Sequence, residues 1–98
     1  MDKEFLPIGT VVDLKESTAS VMVAGYLPIA SSDQSKVWDY SGFRFPLGYV
    51  HDDQIICFDQ DQIETIYAYG YMDIEQQKFI AHVPEKKAEV IARMQEVN

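Results

Sequence analysis

Within fourteen residues, Phe58 to Tyr71, the chain passes from a helix start straight into a run that alternates with period two. Asp59 has the character of an N-cap, and Gln62 stands three residues on, at capping-box spacing. Phe58 before the cap and Ile63 at the fourth helical position have the spacing of a hydrophobic staple. The helical turn is confined to about residues 60–64, because Thr65 to Tyr71 alternates and is rich in strand formers. On a regular strand Ile66 and Ala68 share one face, and Tyr67, Tyr69 and Tyr71 share the other. A helical turn abutting a strand places the chain among α+β folds.

The rest of the chain supports that class. Residues 8–15 read as a strand with Thr10, Val12 and Leu14 on one face and Val11 and Asp13 on the other. Residues 19–26 repeat the pattern, with Val21 and Val23 opposed to Met22 and Ala24, and the short polar link at 16–18 predicts a hairpin. Pro28 ends the second strand, and residues 31–35 form a polar loop. Residues 37–45 resume a strand, with Trp38 and Tyr40 on one face by parity and Phe43 and Phe45 beyond Gly42. A glycine there predicts a bulge or a close backbone approach. Pro46 and Gly48 mark a turn, and Asp52-Asp53 marks a tight connection before a strand at 55–58. The expectation is one domain, 1–98, with an antiparallel sheet of about five strands.

Two C-terminal helices are predicted. Asp73, with Gln76 at the matching offset, caps a helix over about 74–82. Pro84 then separates it from a second helix over 85–97, because the residue before a proline is biased away from helical geometry. Val90, Ile91, Met94 and Val97 form the apolar stripe of that second helix, read here as core.

Charge narrows the function classes. Sixteen acids against eight bases leave a net charge of −8, and residues 52–84 carry seven acids against Lys78 alone. Such a field repels nucleic acid and anionic membranes and attracts cationic partners. No apolar run reaches the length of a membrane span, and the start Met1-Asp2-Lys3-Glu4-Phe5 lacks a signal-peptide pattern, so a cytoplasmic location is expected. Cys57 is the only cysteine and has no partner for an internal disulfide.

Chemistry-bearing patterns are sparse. Asp59-x-Asp61 begins like a calcium loop, but Glu64 occupies the position that needs glycine and Gly70 the one that needs glutamate. His51, Cys57 and His82 fall short of a four-ligand zinc set. A hydrolase built on Cys57 and a histidine is the weakest of the readings, since apolar neighbours raise a thiol pKa. No phosphate-binding glycine loop or hydrolase motif occurs. No catalytic residue, cofactor or metal is therefore expected. The candidates for partner binding are Tyr67, Tyr69, Tyr71, Asp52, Asp53, Asp61 and Glu64, with a protein as the partner and homo-oligomerisation left open. Tyrosine suits interfaces because its ring brings area and its hydroxyl tolerates water. The competing and simpler reading makes the three tyrosines second-face core beneath the C-terminal helices.

Ordered motifs carry a family resemblance. They are Leu6-Pro7-Ile8-Gly9, Val11-Val12-x-Leu14-Lys15, Val21-Met22-Val23-x-Gly25-Tyr26, Asp39-Tyr40-x-Gly42, Pro46-x-Gly48, and Phe58 with Ile63 and Ile66 before Gly70-Tyr71. Over about residues 5–80 the chain resembles a family of small uncharacterised domains of Gram-positive bacteria, often encoded beside type VII secretion genes and LXG polymorphic toxins. The resemblance implies a non-enzymatic accessory role, an adaptor or chaperone for a secreted toxin. An immunity protein that blocks a cationic toxin through the acidic 52–64 segment is the alternative.

Overall fold

The computed structural model describes residues 4–96. Five strands form one antiparallel sheet: β1 (Val11–Leu14), β2 (Ser20–Tyr26), β3 (Tyr40–Phe45), β4 (Ile56–Phe58) and β5 (Ile63–Ala68), in the spatial order β4-β3-β2-β1-β5. A single helix, α1 (Ile74–Glu96), follows. The architecture is the α+β class expected, and β1 and β2 form the expected hairpin, with Val12 opposite Val21.

Strand alternation sorts the sheet's two faces. Thr10, Val12, Leu14, Val21, Val23 and Tyr40 are buried on the face that α1 covers with Ile80 and Val83. The N-terminal residues Phe5 and Leu6 complete this core. Aromatic rings run through it in sequence: Phe58 stacks on Tyr40 at 5.2 Å between centroids, Tyr40 meets Phe5 at 5.3 Å, Phe5 meets Tyr26 at 6.0 Å, and Tyr26 meets Phe79 of α1 at 5.7 Å. Each such pair adds to its area burial. Gly42 makes the expected close approach, since a Cβ there would lie 2.6 Å from the Met22 carbonyl oxygen and 2.7 Å from Val21 Cγ1.

The link from β4 to β5 joins opposite edges of the sheet through residues 59–62 alone. Five residue steps reach at most roughly 18 Å, while four inter-strand spacings make about 19 Å. A flat sheet leaves no slack for that crossing, so the sheet curls and draws its edges together. The 3-10 turn Gln60–Gln62 occupies the link, shorter than the turn expected over 60–64. Asp59 N–H donates to Gln62 Oε1 at 2.8 Å, as the capping spacing predicts.

The two-helix expectation fails: α1 runs through Pro84 without a break. Proline there removes one helical hydrogen bond, that of the Ile80 carbonyl. Tertiary contacts hold both halves. Ile80 and Val83 are buried just before the proline, and Lys87 just after it donates to Asp39 Oδ1 at 2.7 Å. The expected N-cap at Asp73 is present, accepting from Gln76 N–H at 2.9 Å. The expected core stripe is also corrected. Val90 and Met94 are half-buried, Ile91 is exposed, and Val97 lies outside the described residues. Only the first half of α1 crosses the sheet deeply enough to bury side chains.

Candidate functional site

Three tyrosines following a regular strand would point the same way, but β5 is irregular. Val12 lies opposite Ile66 and Val11 opposite Ala68, while Asp13 lies opposite Thr65 and Leu14 opposite Ile63. Tyr67 and Glu64 are therefore extra residues in two β-bulges, which break the strict alternation. The expected pairing of Ile66 with Ala68 on one face fails for this reason. Ile66 faces the side of Val12, and Ala68 the side of Val11.

The tyrosines separate accordingly. Tyr67 lies on the sheet's outer face, where its hydroxyl donates to Asp13 Oδ2 at 2.6 Å. Ser20 donates to the other oxygen of the same carboxylate at 2.9 Å, so one acid ties β2, β1 and β5 together. The hydrogen bond to Asp13 raises the Tyr67 pKa. Tyr69 and Tyr71 both lie past the end of β5, and Tyr69 lines a groove with Phe5 and Leu6 of the core. All three are exposed, at 60 %, 68 % and 79 % for Tyr67, Tyr69 and Tyr71. The reading that made them second-face core is overturned. The aromatic core is made by Phe5, Tyr26, Tyr40 and Phe58, and α1 packs on the other face.

The acids separate too. Asp52 and Asp53 lie in the 3-10 turn Asp52–Gln54 next to β4, at the sheet edge opposite β5. There Tyr49 donates to Asp52 Oδ1 at 2.6 Å, which raises the tyrosine pKa, and His51 Nδ1 lies 3.0 Å from Asp53. Asp61 is exposed on the 59–62 link, and Glu64 sits on β5. The 52–64 segment is therefore not one acidic surface.

A clasp that sequence patterning missed holds this link. Asp39 N–H donates to Asp59 Oδ1 at 3.0 Å, and Gln60 N–H donates back to Asp39 Oδ2 at 2.9 Å. Lys87 neutralises Asp39, and Lys36 lies 2.9 Å from Asp59, which raises the lysine pKa. Asp39 is only 7 % exposed, and a carboxylate that deeply buried needs such partners. An aspartate between Trp38 and Tyr40, inside an aromatic strand pattern, was the available signal.

Beside β5, on the α1 side, an open groove of about 830 Å³ gathers Phe5, Ile63, Ile66, Tyr69 and Met72. Glu4 and Glu64 also line it, and among the described residues its lining includes no Lys, Arg or His. Glu64 and Tyr69 are thus the two candidates brought to one place. Glu4 and Met72 escaped the sequence reading, because only the tertiary fold sets the N-terminal segment and residue 72 against β5.

Among the described residues no group of three or more His, Cys, Asp or Glu is placed to hold a metal ion. No helix among them is long and apolar enough to cross a membrane. Cys57 lies on the outer face opposite Ser41, and partial burial pushes its thiol pKa up. Comparison with curated proteins and with solved structures returns no match. Comparison with protein families matches residues 5–79 to the domain of unknown function DUF4176. With most of its length inside that match, the chain belongs to the DUF4176 family.

Proposed function

We propose that this chain is a non-enzymatic binding protein, an adaptor or chaperone that accompanies a polymorphic toxin to a type VII secretion system and works in the cytoplasm of a Gram-positive cell. The observation that carries the reading is the apolar and aromatic surface around β5. Ile66, Tyr69 and Met72 remain exposed although the core beneath them is already filled by buried residues such as Phe5 and Leu6. Apolar surface gathered in a groove beside carboxylates suits a protein partner. The sequence resemblance to domains encoded near LXG toxins supplies the cellular setting. The reading involves no chemistry of the chain's own: a thiol whose pKa is raised is a poor nucleophile at neutral pH.

Affinity purification of the tagged chain from its native host tests this. A co-purifying toxin or secretion subunit is the expected outcome, and recovery of neither sinks the reading.

The exposed acids Asp52 and Asp53 favour a second reading, an immunity protein directed at a cationic toxin. Complementary charge speeds such association. The triple variant D52K/D53K/D61K should then lose protection of a toxin-exposed cell, whereas full protection eliminates the electrostatic version. Asp59 stays unchanged in that variant because it holds Asp39 and Lys36.

A further inference from the structure

Resting on the adaptor reading, we propose that the groove beside β5 receives an amphipathic helical segment of the partner protein, with apolar residues on one face flanked by Lys or Arg. Phe5 and Leu6 form a buried floor, while Ile66, Tyr69 and Met72 are 37 %, 68 % and 41 % exposed and stand along the groove. Apolar anchors spaced along a helix fit such a trough. The rim charge sets the sign of the partner. Among the described residues Glu4 and Glu64 are its charged lining residues, and neither has an ion-pair partner there. Asp73 follows Met72 directly and Glu75 stands two residues further on, so the chain adjoining the groove is acidic as well.

The bulges decide between a helix and a strand as the occupant. Among the described residues β5 is an edge strand bonded only to β1, and such an edge would ordinarily template strand addition. Bulges at Glu64 and Tyr67 interrupt its ladder twice within six residues. No more than a few residues of an added strand would stay in register, so recognition passes to the side chains of the groove.

The test uses the intact protein and a synthetic helical peptide of about 18 residues, with Leu along one face and Lys along the other. Backbone amide shifts map where it binds. The expected result is saturable binding with shifts centred on Ile63, Glu64, Ile66, Tyr69 and Met72. E4K/E64K should weaken it about tenfold and D52K/D53K, in the turn before β4 and outside the groove lining, less than about twofold. Circular dichroism checks that the variants are folded, and Y69S supplies an uncharged second variant expected to weaken binding. Absence of saturable binding overturns the proposal, as do shifts confined to the outer face or equal losses in both charge variants. So does tighter binding of a β-branched, extended peptide of the same charge, or a solution dimer of this chain that buries the groove. Host purification separates this failure from failure of the adaptor reading. If E4K/E64K captures the secretion partner as well as the unaltered chain does, the groove is wrong and the adaptor stands. If the unaltered chain captures none while the peptide still maps to the groove, the adaptor reading fails and the groove stands.

Discussion

Tyr40 links three parts of the structure through its ring and its hydroxyl. Its ring is fully buried between Phe5 and Phe58, its hydroxyl accepts from Leu6 N–H at 2.8 Å, and it donates to Gln60 Oε1 at 3.1 Å. It thereby joins β3 to the N-terminal segment and to the β4–β5 link. Removing the hydroxyl leaves a buried N–H without its acceptor. Tyr40→Phe should cost about 1–3 kcal/mol in urea unfolding while the fold persists. Gly70 is constrained by space instead. A Cβ there would come 1.9 Å from the Ile8 carbonyl oxygen, where the segment after β5 crosses residues 8–10 and Gly70 N–H donates to Thr10 Oγ1. Gly70→Ala should lower stability by at least about 1–3 kcal/mol, read by thermal unfolding. Both residues stand in motifs quoted from the sequence, but their roles depend on neighbours more than thirty positions away.

Among the elements, α1 shows how packing overrides a local breaker. The stretch around Pro84 is otherwise rich in good helix formers, with Glu85, Lys86, Lys87 and Ala88 directly after it. Buried contacts on one side of the proline and the Lys87–Asp39 pair on the other hold the two halves in line. The interior proline then carries the penalty of a missing hydrogen bond. Pro84→Ala should raise stability by up to about 3 kcal/mol, measured by chemical denaturation. Two separate helices would put Pro84 at a favourable first position, and the substitution would then be neutral or destabilising. β5 illustrates the same point for strands. Its residue types announce a strand, but pairing with β1 creates the bulges, and the bulges direct the side chains.

At the scale of the molecule, the aromatic core links folding to pH. Burial pushes the Tyr26 phenol up to about 12, and it raises Tyr40 as well. An unfolded tyrosine titrates near about 10. The folded state thus favours the protonated phenol, and this contribution is fully present below pH about 10 and lost as pH rises through about 12. Tyr26 also donates to the Leu6 carbonyl, a bond that ionisation removes. The melting temperature should therefore fall above pH about 10, and Tyr26→Phe should flatten that fall. A melting curve in Tyr26→Phe that falls as steeply as in the unaltered chain would show that the burial of this phenol is not responsible.

The sequence by itself determined the fold class, the β1–β2 hairpin, the sorting of β1 and β2 residues into two faces, the caps at Asp59 and Asp73, and the tight approach at Gly42. Those properties depend on alternation, capping and steric rules that act within a few residues. Tertiary structure alone decided the continuity of α1, the β5 bulges, the division of the tyrosines and acids between separate surfaces, and the groove joining Glu4 to Glu64. Each of these requires segments distant in the chain to meet, and a meeting of that kind leaves no period in the sequence. The segment 58–71 shows both regimes: its capping and strand character were legible residue by residue, while the direction of Tyr67 and Tyr69 was set by register against β1.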